Sequence, residues 1–167
     1  MLAKEESISS LHCIGISVGS FAADACIKEF TRQRSRMSKR MEKKEQLTTR
    51  LTLLCPFQQR GILGRGWGTK FFGKSAQYAE QYFISDDPVP GCNTPLKEAY
   101  CVDITKATER ESYLPLPGDS DHAFPPYYYG KMIDASKVWG YFHGEPADAH
   151  TGKVTDRNRG YVELITG

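Results

Sequence analysis

Residues 64–78 read Gly64-Arg65-Gly66-Trp67-Gly68-Thr69-Lys70-Phe71-Phe72-Gly73-Lys74-Ser75-Ala76-Gln77-Tyr78. The glycines let the backbone take positive φ and approach a ligand closely. The aromatic run reads as a strand over 68–72, broken at Gly73. Lys74-Ser75-Ala76 then reads as a helix start, with Ser75 placed to satisfy the orphan amides of an N-terminus that also favours anions. The helix is expected over 75–83, with Tyr78 on its first turn. Turn, strand and helix start in this order often build a nucleotide pocket. The plainer alternative packs strand on helix, with Tyr78, Tyr82 and Phe83 in the core.

Downstream of residue 56 the glycines, prolines and aromatics are frequent and the apolar runs are short, as in a β-rich or mixed region. Further strands are expected over 99–104, 127–133, 138–142 and 161–165. The last two would form a hairpin through Thr151-Gly152, with a second turn over 156–160 and Gly160 in the left-handed position. Upstream, Gly and Pro are absent from Phe21 until Pro56, so residues 20–47 read as one helix. Its apolar stripe is sparse: Ile27, Phe30, Met37 and Met41, interrupted by Arg34. A short strand-like or helical tail over 47–54 ends at Pro56. The expected fold is α+β: an N-terminal helical segment (residues 1–56), then a domain (residues 57–167) with a mixed or antiparallel sheet of about five strands and one or two helices.

The chain has 167 residues, enough for a real core. Its net charge of +2 conceals an asymmetry. Residues 28–50 hold nine basic and three acidic side chains, net +6, which leaves −4 elsewhere. A basic arm suits an anionic partner, nucleic acid or an acidic protein surface, and would also suit docking into a larger assembly. A solvated helix face is the bland alternative. The five cysteines (Cys13, Cys26, Cys55, Cys92, Cys101) are odd in number, widely spaced and lack a Cys-x-x-Cys pair, which suits free thiols in an intracellular, cytoplasmic protein. The start lacks the basic region of a secretory signal, and residues 8–27 contain His12 and Asp24, so no transmembrane segment is expected.

Several residue sets carry a family resemblance. Gly64-x-Gly66, Phe71-Phe72 and Lys74-Ser75-Ala76-Gln77-Tyr78 resemble the NAD-binding segment of ADP-ribosyltransferases, the poly-ADP-ribose polymerase branch most of all. Tyr100-Cys101-Val102-Asp103-Ile104 is similar to the family's following strand. Tyr161-Val162-Glu163-Leu164-Ile165 is similar to the strand that carries its catalytic Glu. The resemblance implies NAD as substrate, Glu163 as the catalytic carboxylate and Tyr78 as the nicotinamide platform. It implies Gly64, Gly66, Phe72 and Ser75 as pocket residues, and His12 as a contact to the adenosine ribose. Cys13 stands where the family has a glycine after that His. The chemistry fits the residue types, because breaking the nicotinamide–ribose bond develops positive charge that a fixed carboxylate stabilises.

Three weaker patterns remain. His143, Glu145, Asp148 and His150 offer metal-ligand types, but their spacing matches no helical pattern and Pro146 implies a loop, so no metal is assigned. Asp119, Asp121 and His122 would add ligands only if the fold brought them close. Cys55-Pro56-Phe57-Gln58-Gln59-Arg60 is similar to the opening of some glutathione transferases, although Gly61 and Gly64 would break the helix that motif needs. Residues 138–144 with 160–167 resemble the closing hairpin of a lipocalin-like barrel, which would bind an apolar ligand. A non-enzymatic accessory subunit docking through the basic helix is the rival from another class.

Overall fold

The computed structural model describes residues 10–41, 48–61, 64–139 and 159–166. Within these, the elements run β1 (Ser10–Ile16), α1 (Ser20–Met41), β2 (Thr48–Leu54), α2 (Trp67–Phe71), β3 (Tyr78–Phe83), β4 (Tyr100–Lys106), α3 (Phe124–Trp139) and β5 (Val162–Thr166). The five strands form one sheet in the order β1-β2-β3-β4-β5. Every neighbouring pair is parallel.

The parallel arrangement corrects the mixed or antiparallel sheet expected from sequence. The described strands are joined by long connections, which parallel neighbours require and tight hairpins do not. The N-terminal helix also follows a strand, β1, and strands from both sides of residue 56 share the sheet. The hairpin turn at Thr151-Gly152 lies outside the described residues. Gly160 does take the left-handed conformation, at φ +73°. An open parallel sheet is not an up-and-down barrel, whose neighbours are antiparallel.

Three local expectations reverse for physical reasons. Residues 68–71 form most of the short helix α2, which starts after Gly66 at φ +67° and ends before Phe72. Residues 78–83 form a strand, not a helix, and all six are buried. β3 is central and covered on both faces, so its sequence shows no alternation. Residues 127–133 are helical: Phe124, Tyr128, Tyr129, Met132 and Ile133 repeat at helical spacing and pack as one cluster. Pro125 and Pro126 sit in the first turn of α3, where a missing N–H costs nothing. Of the strand expected over 138–142, residues 138 and 139 belong to α3 and the rest lie outside the described set.

The helices cover opposite faces. Ala23 and Ile27 of α1 pack on Leu51, Leu53, Ala79, Phe83 and Cys101. Phe124, Tyr128 and Tyr129 of α3 pack on Leu54, Tyr82, Ile84, Val102 and Ile104. Gly15 lets α1 sit close, since a Cβ there would come within 2.7 Å of the Ser20 backbone. Ile27 and Phe30 bury as the stripe predicts, and Arg34 is buried beside them. The loop between β3 and β4 takes the place of a crossover helix on the α1 side, contributing Leu96 and Ala99 to that core. Buried Gln58 and Gln81 both donate to the Thr94 carbonyl (2.6 and 3.0 Å), and Gln81 accepts from the Leu96 amide (2.8 Å).

Candidate functional site

On the α3 side of the sheet the carboxyl half of the strands is apolar and the amino half is polar. Parallel register sets His12, Arg50 and Tyr78 in one row, and Thr52, Glu80 and Tyr100 in the next. Glu163 of β5 lies level with Val102 and Tyr82. Alternation along each strand points all of these side chains to the same face.

Two hydrogen-bonded groups form among them. Thr52 donates its hydroxyl to Glu80 Oε1 at 2.6 Å. The same oxygen of Thr52 therefore accepts from His12 Nε2 at 2.8 Å, which puts the imidazole proton on Nε2. Arg50 donates to Glu80 Oε1 at 2.9 Å. Glu80 is 2% exposed, and a carboxylate that deep is stable only with such partners. Tyr100 donates its hydroxyl to Glu163 Oε2 at 2.8 Å and stacks on Tyr161, with ring centroids 5.5 Å apart. Burial, reinforced by the bond to Glu163 and its charge, pushes the Tyr100 phenol up, so it stays a donor.

The structure divides the residues singled out by sequence into two groups. His12 on β1, Tyr78 on β3 and Glu163 on β5 share the α3-side face, the first two in its polar half and Glu163 level with the apolar layer. Tyr78 opens a strand rather than lying on a helix. Tyr78 and Glu163 are two strands apart and four residues out of level, so their Cα atoms are roughly 16 Å apart at ordinary sheet spacings. The aromatic ring in contact with Glu163 is that of Tyr100, which sequence reasoning placed on a strand but gave no role.

Gly64, Gly66, Phe72 and Ser75 lie with the α1 side. Gly64 closes a tight turn, accepting from the Arg60 and Trp67 amides at 3.1 Å each. Phe72 is fully buried against Phe21 and Trp67. Ser75 is in a turn, where its carbonyl accepts from Thr31 of α1 at 3.3 Å. Gly73, at φ +89°, donates its amide to buried Asp24 at 2.9 Å.

A groove of about 260 Å³ lies at the carboxyl ends of β4 and β5, lined in part by Ser85, Asp103, Thr105 and Lys106. Parallel sheets commonly place ligands beyond this edge. The basic segment maps onto α1, where Lys28, Arg32 and Arg36 are exposed at four-residue spacing and Arg32 pairs with Glu29. Residues 42–47, and the set His143, Glu145, Asp148 and His150, lie outside the described residues. No helix among the described residues is long and apolar enough to cross a membrane. All five cysteines are free thiols.

These features define a mixed helix-and-sheet protein built on a five-stranded parallel sheet. No protein-family model, curated protein or solved structure matches the chain.

Proposed function

We propose that the polar half-face binds a nicotinamide dinucleotide and that the chain acts as an ADP-ribosyltransferase-like domain. The observation that carries this reading is the common face shared by His12, Tyr78 and Glu163, three residues separated widely in sequence. Glu163 is the catalytic carboxylate, set beside the ribose whose C–N bond breaks. The stacked Tyr100–Tyr161 pair offers the aromatic surface next to it. Tyr78, with Arg50 and His12, meets the far end of the ligand, as their distance from Glu163 requires. Gly64, Gly66, Phe72 and Ser75 serve packing in this reading, not the pocket. In the reaction the nicotinamide–ribose bond breaks, nicotinamide leaves, and an acceptor nucleophile bonds to the ribose and releases its proton.

Isothermal titration with NAD, combined with an assay of nicotinamide release, tests the proposal. Glu163→Gln keeps shape and hydrogen bonding but removes the charge. Release should fall by about 10²–10³ while NAD affinity barely moves, since the charge it stabilises exists only in the transition state. No heat of binding, and no release with protein or nucleic-acid acceptors, would overturn it.

One observation favours a second reading, a non-enzymatic accessory subunit. Ile14, Ile16 and Val18 are 48%, 50% and 67% exposed at and just beyond edge strand β1. The outward row Lys28, Arg32, Arg36 adds a surface for an anionic partner. In this reading α1 binds a single-stranded oligonucleotide with affinity that falls steeply with salt, and NAD gives no signal.

A further inference from the structure

Three loop residues converge where no sequence motif joins them. Asp87 follows β3, Cys92 lies in the loop beyond it, and His122 belongs to the single 3-10 turn that leads into α3. Their carboxylate, thiol and imidazole donor atoms all lie within 4.8 Å of one another. The Asp87 side chain has no exposure, Cys92 has none, and that of His122 keeps 18%. The loop is built for this. Asp87 accepts from the Val89 amide at 2.8 Å, and the Cys92 amide donates to the Val89 carbonyl at 3.3 Å.

Two details separate the cluster from an ordinary buried ion pair. His122 Nδ1 sits 2.8 and 3.0 Å from the two Asp87 oxygens, which turns the ring and fixes its tautomer. Its other nitrogen, Nε2, is buried and has no hydrogen-bond partner among the described residues. An ion at this place would displace the proton shared by Nδ1 and Asp87 and take both as donors together with the Cys92 sulfur. The neighbouring cation, Arg110, is committed to Asp86 and Asp121 at 2.9 Å each and leaves Asp87 to the imidazole.

The Cys92 thiol is pushed up to about 12 by burial and by the charge of Asp87. Cys55, just past β2 and held at φ +42°, is also pushed up to about 12, by burial and then by Asp87 and Cys92. Both thiols thus lie near the Asp87 carboxylate, whose buried charge a divalent cation would balance. No two of the three donor atoms are more than 4.8 Å apart, so small shifts of the side chains would close them around an ion.

We propose that Asp87, Cys92 and His122 form a binding site for a zinc-type divalent ion, with Cys55 the nearest further thiol. Mixed sulfur, nitrogen and oxygen donors suit a borderline-soft ion over magnesium or calcium. The site holds together the loops after β2 and β3 and the start of α3. It is independent of the polar half-face and of the NAD reading.

The test uses the full chain, stripped with a chelator and titrated with Zn²⁺ against a chromophoric competitor, then with Co²⁺ as a spectroscopic probe. One equivalent should bind, and Co²⁺ should show sulfur-to-cobalt charge-transfer absorption. Cys92→Ser should abolish that absorption and weaken Zn²⁺ binding by about 100-fold, and His122→Gln should weaken it comparably. Cys26→Ser, at an exposed thiol on α1, should change neither. If the Cys92 variant fails to fold, Zn²⁺ should still slow alkylation of Cys92 in the native chain, read by peptide mass spectrometry. Absence of stoichiometric binding, unchanged alkylation, or binding that survives both ligand substitutions would overturn the proposal.

Discussion

The two halves of the α3-side face differ more than the two faces of the sheet do. Toward the carboxyl ends, Leu54, Tyr82, Ile84, Val102 and Ile104 meet Phe124 and Tyr128 of α3 in an apolar layer. Toward the amino ends, the same strands carry Arg50, Thr52 and Glu80, joined by hydrogen bonds, and Tyr100, bonded to Glu163 of β5. One half is held by area removed from water, which tolerates substitution by degrees. The other is held by pairing, where loss of one partner strands the next. Burying charge where apolar residues would pack as well is a cost that stability alone does not explain, and it makes the polar half the better candidate for function.

The largest effect should come from breaking that pairing. Arg50→Ala leaves the Glu80 carboxylate buried beside a cavity and should cost about 3–5 kcal/mol in urea unfolding. The double substitution Arg50→Met, Glu80→Leu should recover most of the loss. If the single variant is as stable as the wild type, the two halves are held alike. Leu54→Ala, in the apolar half, should cost about 3 kcal/mol through lost transfer energy and a residual cavity, with no change in any NAD signal. Tyr100→Phe removes one bond to a half-exposed carboxylate and should cost about 1 kcal/mol, while altering nicotinamide release if Glu163 is catalytic.

Asp24, on the buried side of α1, sharpens the contrast through pH. Burial raises its carboxyl above the ordinary value, opposed by the Gly73 amide and by Lys28. The folded state therefore binds its proton more tightly than the unfolded state. This contribution to stability is full at acid pH and is lost as pH rises from the ordinary carboxylate range through the raised value. Asp24→Asn should flatten that part of the stability–pH curve and leave the protein no less stable at neutral pH. The smallest effect belongs to the outward row of α1. Lys28→Glu with Arg36→Glu should shift stability by less than about 0.5 kcal/mol. The same pair should abolish salt-sensitive binding of an oligonucleotide, and binding that persists unchanged would place the anionic contact elsewhere.

What was legible in the chain was what local chemistry settles. The unbroken run after Phe21 gives α1, and Ile27 and Phe30 bury as its period requires. The runs beginning at Tyr100 and Val162 are strands in the sheet. What misled was aromatic content. Tyr127, Tyr128 and Tyr129 have strand propensity, yet two prolines start a helix there and its buried stripe keeps helical spacing. Tyr78–Phe83 lacks alternation because both of its faces are covered, so it reads as well for a helix as for a strand.

By itself, the sequence determined a chain with helices and strands, a basic first helix and a late strand carrying Glu163, because these depend on residue type and short-range spacing. It also singled out His12, Tyr78 and Glu163 as separate residues. Only the tertiary structure decided that the strands are parallel, that these three share one face while Phe72 packs on the other, and that His122 turns away from its own loop to Asp87. Strand direction and register are set by long-range pairing and by which faces helices cover, and neither leaves a local mark on the residues involved.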